Sequence, residues 1–177
     1  MRILEAARRL FYRQGINATG IAELCAAAHV SKRTLYQHFG GKDELVVAYL
    51  DTFVADGPEA ILARPDLAPR ARLLELFSAL AADDASPRRG CPFLDAAVEL
   101  ADPAGGAHRF AAEHKQRFAQ QLADLARAAG ARDAERVGRR LALLYDGAAA
   151  QSVIQDRPDP AGEARAIAAA ILREAID

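Results

Sequence analysis

Apolar residues recur at helical spacing along almost the whole chain, and this periodicity constrains the fold more than any other feature. In the first segment, for example, Ile3, Ala7 and Leu10 fall on one face of a helix. Runs of β-branched residues are absent from the sequence, whereas alanine, the strongest helix former, is frequent. The pattern therefore predicts an all-α fold of about nine helices with no strand.

Glycine and proline residues divide this pattern and set the expected helix boundaries. Gly15 should end the first helix, and Gly40-Gly41 should separate the third helix from a longer one at Lys42–Ala55. A loop is expected from Ser86 to Gly90. The later helices are expected at about Pro92–Leu100, Ala107–Ala129, Ala134–Ile154 and Ala161–Ile176.

The charges are distributed unevenly along the chain. Residues 1–42 carry seven basic and two acidic side chains, whereas residues 43–177 carry sixteen and twenty-two. Only the basic N-terminal segment, called the head below, is therefore expected to meet a polyanion, although surface charges also cluster by chance. No apolar run reaches the roughly 18–20 residues that cross a bilayer, so no membrane partner is expected. Two cysteines form neither a disulfide framework nor a CxxC pair, which favours a cytoplasmic protein.

The segment from Thr19 to Phe39 predicts a helix-turn-helix. Two short helices are joined by a tight turn at His29-Val30-Ser31, and the whole segment has the length of a DNA-reading hairpin. Thr19 is expected to cap the first of these helices. Ser31 is expected to cap the second by accepting a hydrogen bond from a backbone N–H group in its first turn.

Helical geometry places Leu35 and Phe39 on the inner side of the second short helix. The side chains that point outward or flank this face suit a DNA groove, because Lys and Arg donate to guanine, Gln pairs with adenine and hydroxyls reach phosphates. They are Lys32, Arg33, Thr34, Tyr36 and Gln37. Lys42, in the first turn of the next helix, would clamp a phosphate. A solvated polar face would carry the same residue types, so the pattern leaves both interpretations open.

Several segments of the head also match a known motif. They are Leu10-Phe11, Gly15, Thr19, Ile21, Val30–Phe39 (VSKRTLYQHF) and Lys42–Leu45 (KDEL). Together they resemble the N-terminal domain of TetR/AcrR-family transcriptional regulators, over about residues 3–50. The resemblance implies a homodimeric repressor that binds double-stranded, palindromic operator DNA until a small-molecule effector binds its larger C-terminal part. It places a DNA-binding domain at residues 1–45 and a ligand-binding and dimerisation domain at residues 46–177.

The resemblance also assigns roles within the head. By motif position, the phosphate contacts are Thr19, Ser31, Thr34, Tyr36, His38 and Lys42, and the base contacts are Lys32, Arg33 and Gln37. His29 stands at a turn position where relatives commonly have glycine. A positive φ is therefore expected at His29, which histidine tolerates better than most residues.

In the remainder of the chain, called the body below, the segment Gly90–Leu100 resembles a subgroup motif of the same family. Asp95 stands where asparagine is usual. The resemblance implies that this segment forms a helix that lines a pocket. The candidate ligand contacts are Phe77, Cys91, Phe93, Phe110, His114, Phe118 and Tyr145. His114 and the aromatic residues fit an apolar ligand chamber, but they fit ordinary core packing equally. Cys91 follows Arg88 and Arg89, which allows a thiol that senses electrophiles or oxidants, but a small residue packing at a helix start is the simpler explanation.

The last two helices carry apolar stripes that could form a dimer interface. The predicted interface residues are Val137, Leu141, Leu144, Ala148, Ile167 and Ile171. Two such helices from each subunit could build a four-helix bundle about a two-fold axis. The stripes could also be buried inside one subunit. The family resemblance favours the dimer.

The sequence offers no motif for catalysis. It contains no Glu-x-x-His pair, His-Glu-x-x-His motif, nucleophile elbow or phosphate loop, and its four histidines lack metal-ligand spacing. No enzyme activity, cofactor or metal is therefore expected. The rival class to a DNA-binding regulator is a helical protein-interaction module whose basic head binds an acidic partner.

Overall fold

The computed structural model describes residues 2–57, 59–82, 90–155 and 159–176, which form ten α-helices and contain no strand. The helices are α1 (Arg2–Gln14), α2 (Ile21–Ala28), α3 (Lys32–His38), α4 (Lys42–Asp56), α5 (Glu59–Leu62), α6 (Pro69–Ala82), α7 (Pro92–Glu99), α8 (Gly106–Ala128), α9 (Ala134–Gln155) and α10 (Asp159–Ile176). The all-α prediction is confirmed. The extra helix is α5, whose single turn is too short to show a periodic pattern. Of the loop expected at Ser86–Gly90, only Gly90 belongs to the described residues.

The chain divides into two compact units. The first consists of Met1–Val54 and Pro92–His114, and the second consists of Ala55–Cys91 and Lys115–Asp177. The head thus shares a unit with α7 and the start of α8. The functional boundary predicted between residues 45 and 46 remains a prediction. Within the described part of the chain, none of the helices combines the length and the hydropathy that a membrane span requires.

The core of the first unit is built on α1 and α4. Gly15 ends α1 in the left-handed region, with φ +92°, as its position in the sequence predicts. The ring of Tyr49 packs edge-on against Phe11 at 5.3 Å and against Phe53 at 5.1 Å between centroids. The residues buried on these two helices are Ile3, Ala6, Ala7, Leu10, Phe11, Leu45, Val46, Tyr49 and Leu50. These positions follow the helical period, so the sequence pattern and the core agree.

The core of the second unit joins α6, α8, α9 and α10. Its larger buried side chains are Leu73, Leu76, Phe77, Phe118, Leu122, Leu141, Tyr145 and Leu172. Gly138 of α9 lies against the backbone of α8, because a Cβ atom at this position would stand 2.6 Å from the amide nitrogen of Ala123 and 2.7 Å from the carbonyl oxygen of Ala119. Only glycine allows these two helices to approach so closely.

The stripe predicted as a dimer interface is largely part of this core. Val137, Leu141 and Ala148 are buried within the subunit, and Leu144 and Ile171 pack partly buried against them. A side chain that is already buried has no surface left to cover, so Val137, Leu141 and Ala148 are corrected to core residues. Only Ile167 of the six is exposed. The large apolar side chains exposed on α9 and α10 are Leu143, Ile154 and Ile167, of which only Ile167 was predicted.

Candidate nucleic-acid interface

The turn between α2 and α3 has the predicted conformation. His29 adopts φ 54° and ψ 48°, and it is the one non-glycine residue with a positive φ in the described part of the chain. Its N–H group donates to the carbonyl of Ala26 at 3.2 Å, and the N–H group of Val30 donates to Cys25 at 3.0 Å. These two bonds satisfy carbonyl groups at the end of α2 and direct the chain into α3.

Ser31 caps α3, as predicted. Its Oγ accepts a hydrogen bond from the N–H group of Thr34 at 3.0 Å, and it also lies 2.9 Å from the Thr34 hydroxyl. A serine cap of this kind contributes about 1 kcal/mol to the stability of a helix. The cap fixes the start of a helix of only seven residues.

One side chain anchors α3, and the others face outward. Leu35 is the buried residue of this helix, and Phe39, just beyond its end, is partly buried. The exposed side chains are Ser31, Lys32, Arg33, Tyr36, Gln37 and His38, and that of Thr34 is partly buried. The inner and outer faces of α3 therefore match the helical-wheel prediction. Their contacts with DNA remain a prediction.

Thr19 does not occupy the predicted position. The N-cap of α2 is Gly20, which has no side chain to accept a bond. The side chain of Thr19 is fully buried, and its hydroxyl donates to the carbonyl of Gly15 at 2.7 Å. Thr19 closes the loop after α1 instead of capping α2, and its hydroxyl is not accessible to a phosphate in this structure.

Lys42 lies at the start of α4 and is only partly exposed. Burial lowers its pKa, and the negative charge of Glu99 opposes this shift. Glu99, at the end of α7, was not recognised as a functional residue from the sequence, because 57 positions separate it from Lys42 and no local pattern links them. The predicted phosphate clamp therefore has an acidic neighbour.

The aromatic ligand candidates form one cluster in each unit. In the first unit, the rings of Phe93 and His114 stack in parallel at 3.5 Å between centroids, and Phe110 lies 6.4 Å from Phe93. In the second unit, Phe77 and Phe118 pack against Tyr145 at 5.8 and 5.4 Å. All except Phe110 are buried. This packing suits a core as well as a ligand chamber, so the ligand role of these residues stays a prediction.

Cys91 has a charged neighbour that the sequence did not reveal. The thiol is free and partly buried, and it interacts with the ammonium group of Lys115. Burial lowers the pKa of Lys115, but Cys91 and the carboxylate of Asp146, which lies 2.5 Å from the ammonium nitrogen, together raise that pKa above its ordinary value. Arg88 and Arg89, the neighbours considered in the sequence, lie outside the described residues.

Comparison with known proteins places this geometry in a family. The profile of bacterial regulatory proteins of the tetR family matches residues 3–49. The HTH-type transcriptional regulator TtgR of Pseudomonas putida is 44% identical over 50 residues, which are 28% of this chain and 24% of that protein. The chain thus matches about a quarter of the length of this curated relative.

Two solved structures extend the similarity to the body. The structure of SCO4454, a TetR-family transcriptional regulator from Streptomyces coelicolor, has a TM-score of 0.87 and 34% identity, and the alignment covers 99% of this chain and 95% of that one. A putative tetR-type transcriptional regulator from Streptomyces avermitilis, sav143, has a TM-score of 0.81 and 37% identity over 89% and 87% of the two chains. The chain therefore belongs to the TetR family of DNA-binding transcriptional regulators, which are not enzymes.

Proposed function

We propose that this protein is a cytoplasmic, homodimeric repressor that binds a palindromic operator and releases it when a small organic molecule binds the body. The observation that carries the proposal is the presentation of α3. This helix is capped by Ser31, anchored by Leu35, and exposes Lys32, Arg33 and Gln37 on its outer side. A short helix with these side chains fits the major groove, where Lys and Arg donate to guanine and Gln pairs with adenine.

Phosphate contacts would flank these base contacts. Ser31, Tyr36 and His38 are exposed around α3, and Thr34 and Lys42 are partly exposed beside it. Such contacts position a protein on the duplex without reading its sequence. Thr19 is left out of this set, because its hydroxyl is buried and bonded to Gly15.

The outward faces of α9 and α10 support the homodimer. Leu143 and Ile154 are each 75% exposed, and Ile167 is 48% exposed. Leu143 and Ile154 are eleven positions apart, which is three helical turns, so they lie on one side of α9. Large exposed apolar side chains grouped in this way favour a buried interface. A two-fold dimer would place its two recognition helices about one DNA turn apart, roughly 34–36 Å.

The aromatic clusters around His114 and Tyr145 supply apolar surfaces with a few polar groups, which is the usual chemistry of a ligand pocket. An effector would act by preferring a body geometry in which the two recognition helices no longer match the operator. It can shift this equilibrium only by the difference between its affinities for the two states.

A second class of effector is favoured by the environment of Cys91. The Lys115 ammonium places a positive charge beside a partly exposed sulfur, and cysteines in such electropositive, partly exposed surroundings are the ones that react with electron-poor carbon atoms. Alkylation by N-ethylmaleimide, followed by mass spectrometry, tests this candidate with Cys25 as an internal control, because Cys25 is buried in the head. Faster alkylation of Cys91 than of Cys25, slowed by Lys115→Gln, supports a thiol-based sensor. Equal rates in the Lys115→Gln variant and the parent protein would exclude a role for the lysine.

The proposed function is tested by selecting duplexes from a randomised library with the full-length protein and measuring the stoichiometry of the complex. We expect a palindromic sequence whose half-sites are centred about one DNA turn apart, bound by two chains. Selection of no sequence, together with binding of acidic peptides, would favour the protein-interaction module instead.

A further inference from the structure

Asp43, in the first turn of α4, caps a second helix that begins 63 positions later. Its carboxylate oxygens accept hydrogen bonds from the N–H groups of Gly106 at 2.9 Å and Ala107 at 3.1 Å, which begin α8. Both N–H groups belong to the first turn of a helix, where the backbone leaves them without a partner in the helix itself. The DNA-binding head therefore supplies the cap of α8.

The local geometry is specific for this contact. A Cβ atom at position 106 would stand 2.6 Å from Oδ2 of Asp43, so any larger residue there would force the carboxylate to shift. Asp43 also lies in the first turn of α4. One negative charge thus faces the positive ends of two helix dipoles, which stabilise it at this position.

Glu99 makes a second connection between the head and the helices that follow position 91. Its Oε2 accepts a hydrogen bond from the backbone N–H of Asn17 at 2.7 Å, and its carbonyl accepts one from the Asn17 side-chain amide at 2.5 Å. Asn17 lies in the loop between α1 and α2, immediately before the helix-turn-helix. The charge of Glu99 also acts on Lys42, the predicted phosphate clamp.

The helices held by these two carboxylates also carry the aromatic cluster of the first unit. Phe93 lies at the start of α7 and Glu99 at its end, so about 9 Å of helix separates them. Phe110 and His114 lie within the first nine residues of α8. A rigid helix that shifts at its aromatic end must therefore shift at its carboxylate contact.

We propose that Asp43 and Glu99 are positioning residues that couple the DNA-binding state of the head to the positions of α7 and α8. The proposal rests on the proposed function and adds the residues through which a signal passes. Neither carboxylate needs to touch DNA or an effector. By linkage, DNA bound at α3 must stabilise the contacts of Asp43 and Glu99 as strongly as these contacts favour DNA binding.

Hydrogen–deuterium exchange on the full-length protein tests this coupling without a known effector. The DNA is a duplex that the parent protein selects from a randomised library. We expect saturating DNA to slow exchange at Gly106, Ala107 and Asn17 by about fivefold or more, the lower end of typical coupling. Asp43→Asn and Glu99→Gln should each remove most of this DNA-induced change at their own contact.

The DNA-induced change in exchange rate distinguishes coupling from a purely structural role, because the loss of a structural contact would alter exchange equally in the free and the DNA-bound protein. Asp51→Asn is the matched control, since Asp51 is an exposed carboxylate on the same helix as Asp43, and it should keep the full effect. The proposal is overturned if DNA leaves exchange at these amides unchanged, or if both variants retain the change. Failure of the parent protein to select any duplex is a separate outcome, and it would overturn the proposed function.

Discussion

The recognition helix α3 and the body helix α9 use helical periodicity in opposite ways. In α3 one residue, Leu35, is buried, and the polar side chains face outward. In α9 eight residues are buried, and Gly138 touches the backbone of a neighbouring helix. Substitutions on the outer side of α3 should therefore change DNA binding and leave stability intact. Most substitutions on the inner side of α9 should change stability first.

The largest effect should come from the contact between α8 and α9. Gly138→Val would place side-chain atoms where the backbone of Ala123 and Ala119 already lies, and it should lower the free energy of unfolding by about 3 kcal/mol. Gly147→Ala is the control, because nothing lies within 4 Å of a Cβ atom at that position. It should stabilise the helix by up to about 1 kcal/mol. Urea titration measures both, and an equal response would contradict the close approach of these helices.

The next effect should appear only in DNA binding. Arg33→Ala removes an exposed guanidinium from α3 and should weaken binding to a selected duplex by about 1–3 kcal/mol. The melting temperature should not change, because the side chain is exposed. Arg140→Ala removes an exposed arginine from α9 and should leave the affinity unchanged. If both variants bind equally well, the assignment of the interface to α3 is wrong.

The cap of α3 should affect both properties. Ser31→Ala removes the acceptor for the Thr34 N–H group and should lower stability by about 1 kcal/mol. The loss of order at the start of α3 should also weaken DNA binding. Ser31→Asn, which retains a capping oxygen, should recover most of the stability in thermal denaturation. A Ser31→Ala protein that melts like the parent would show that the cap is dispensable.

The smallest effect should be found at the turn. His29→Gly relieves the left-handed backbone conformation at φ 54° but makes the unfolded chain more flexible, so a gain of only about 0.5 kcal/mol is expected. Ala26→Gly, inside the preceding helix, should instead cost about 1 kcal/mol. A destabilised His29→Gly variant would mean that the imidazole itself contributes to stability.

Local features of the head were predictable from the sequence. The cap of Ser31 joins residues three positions apart, and the two faces of α3 follow from helical geometry alone. Thr19 was misplaced because its partner, the carbonyl of Gly15, is brought near by the path of the loop and not by a regular helix.

The body was harder to predict, since its contacts join distant positions. The period of α9 correctly indicates that Val137 and Leu141 are buried, but not whether a second subunit or the same chain covers them. Lys115 lies 24 positions after Cys91, and Glu99 lies 82 positions after Asn17. No local pattern records such pairs, because the fold alone brings them together.

The most direct test of this account is the anisotropy of a labelled duplex, selected by the parent protein, compared with a scrambled duplex across a series of salt concentrations. We predict tight, salt-dependent binding to the selected duplex, clear discrimination against the scrambled one, and loss of that discrimination in Arg33→Ala. Equal affinity of the parent protein for both duplexes, or discrimination that survives Arg33→Ala undiminished, would contradict sequence reading by the outer face of α3.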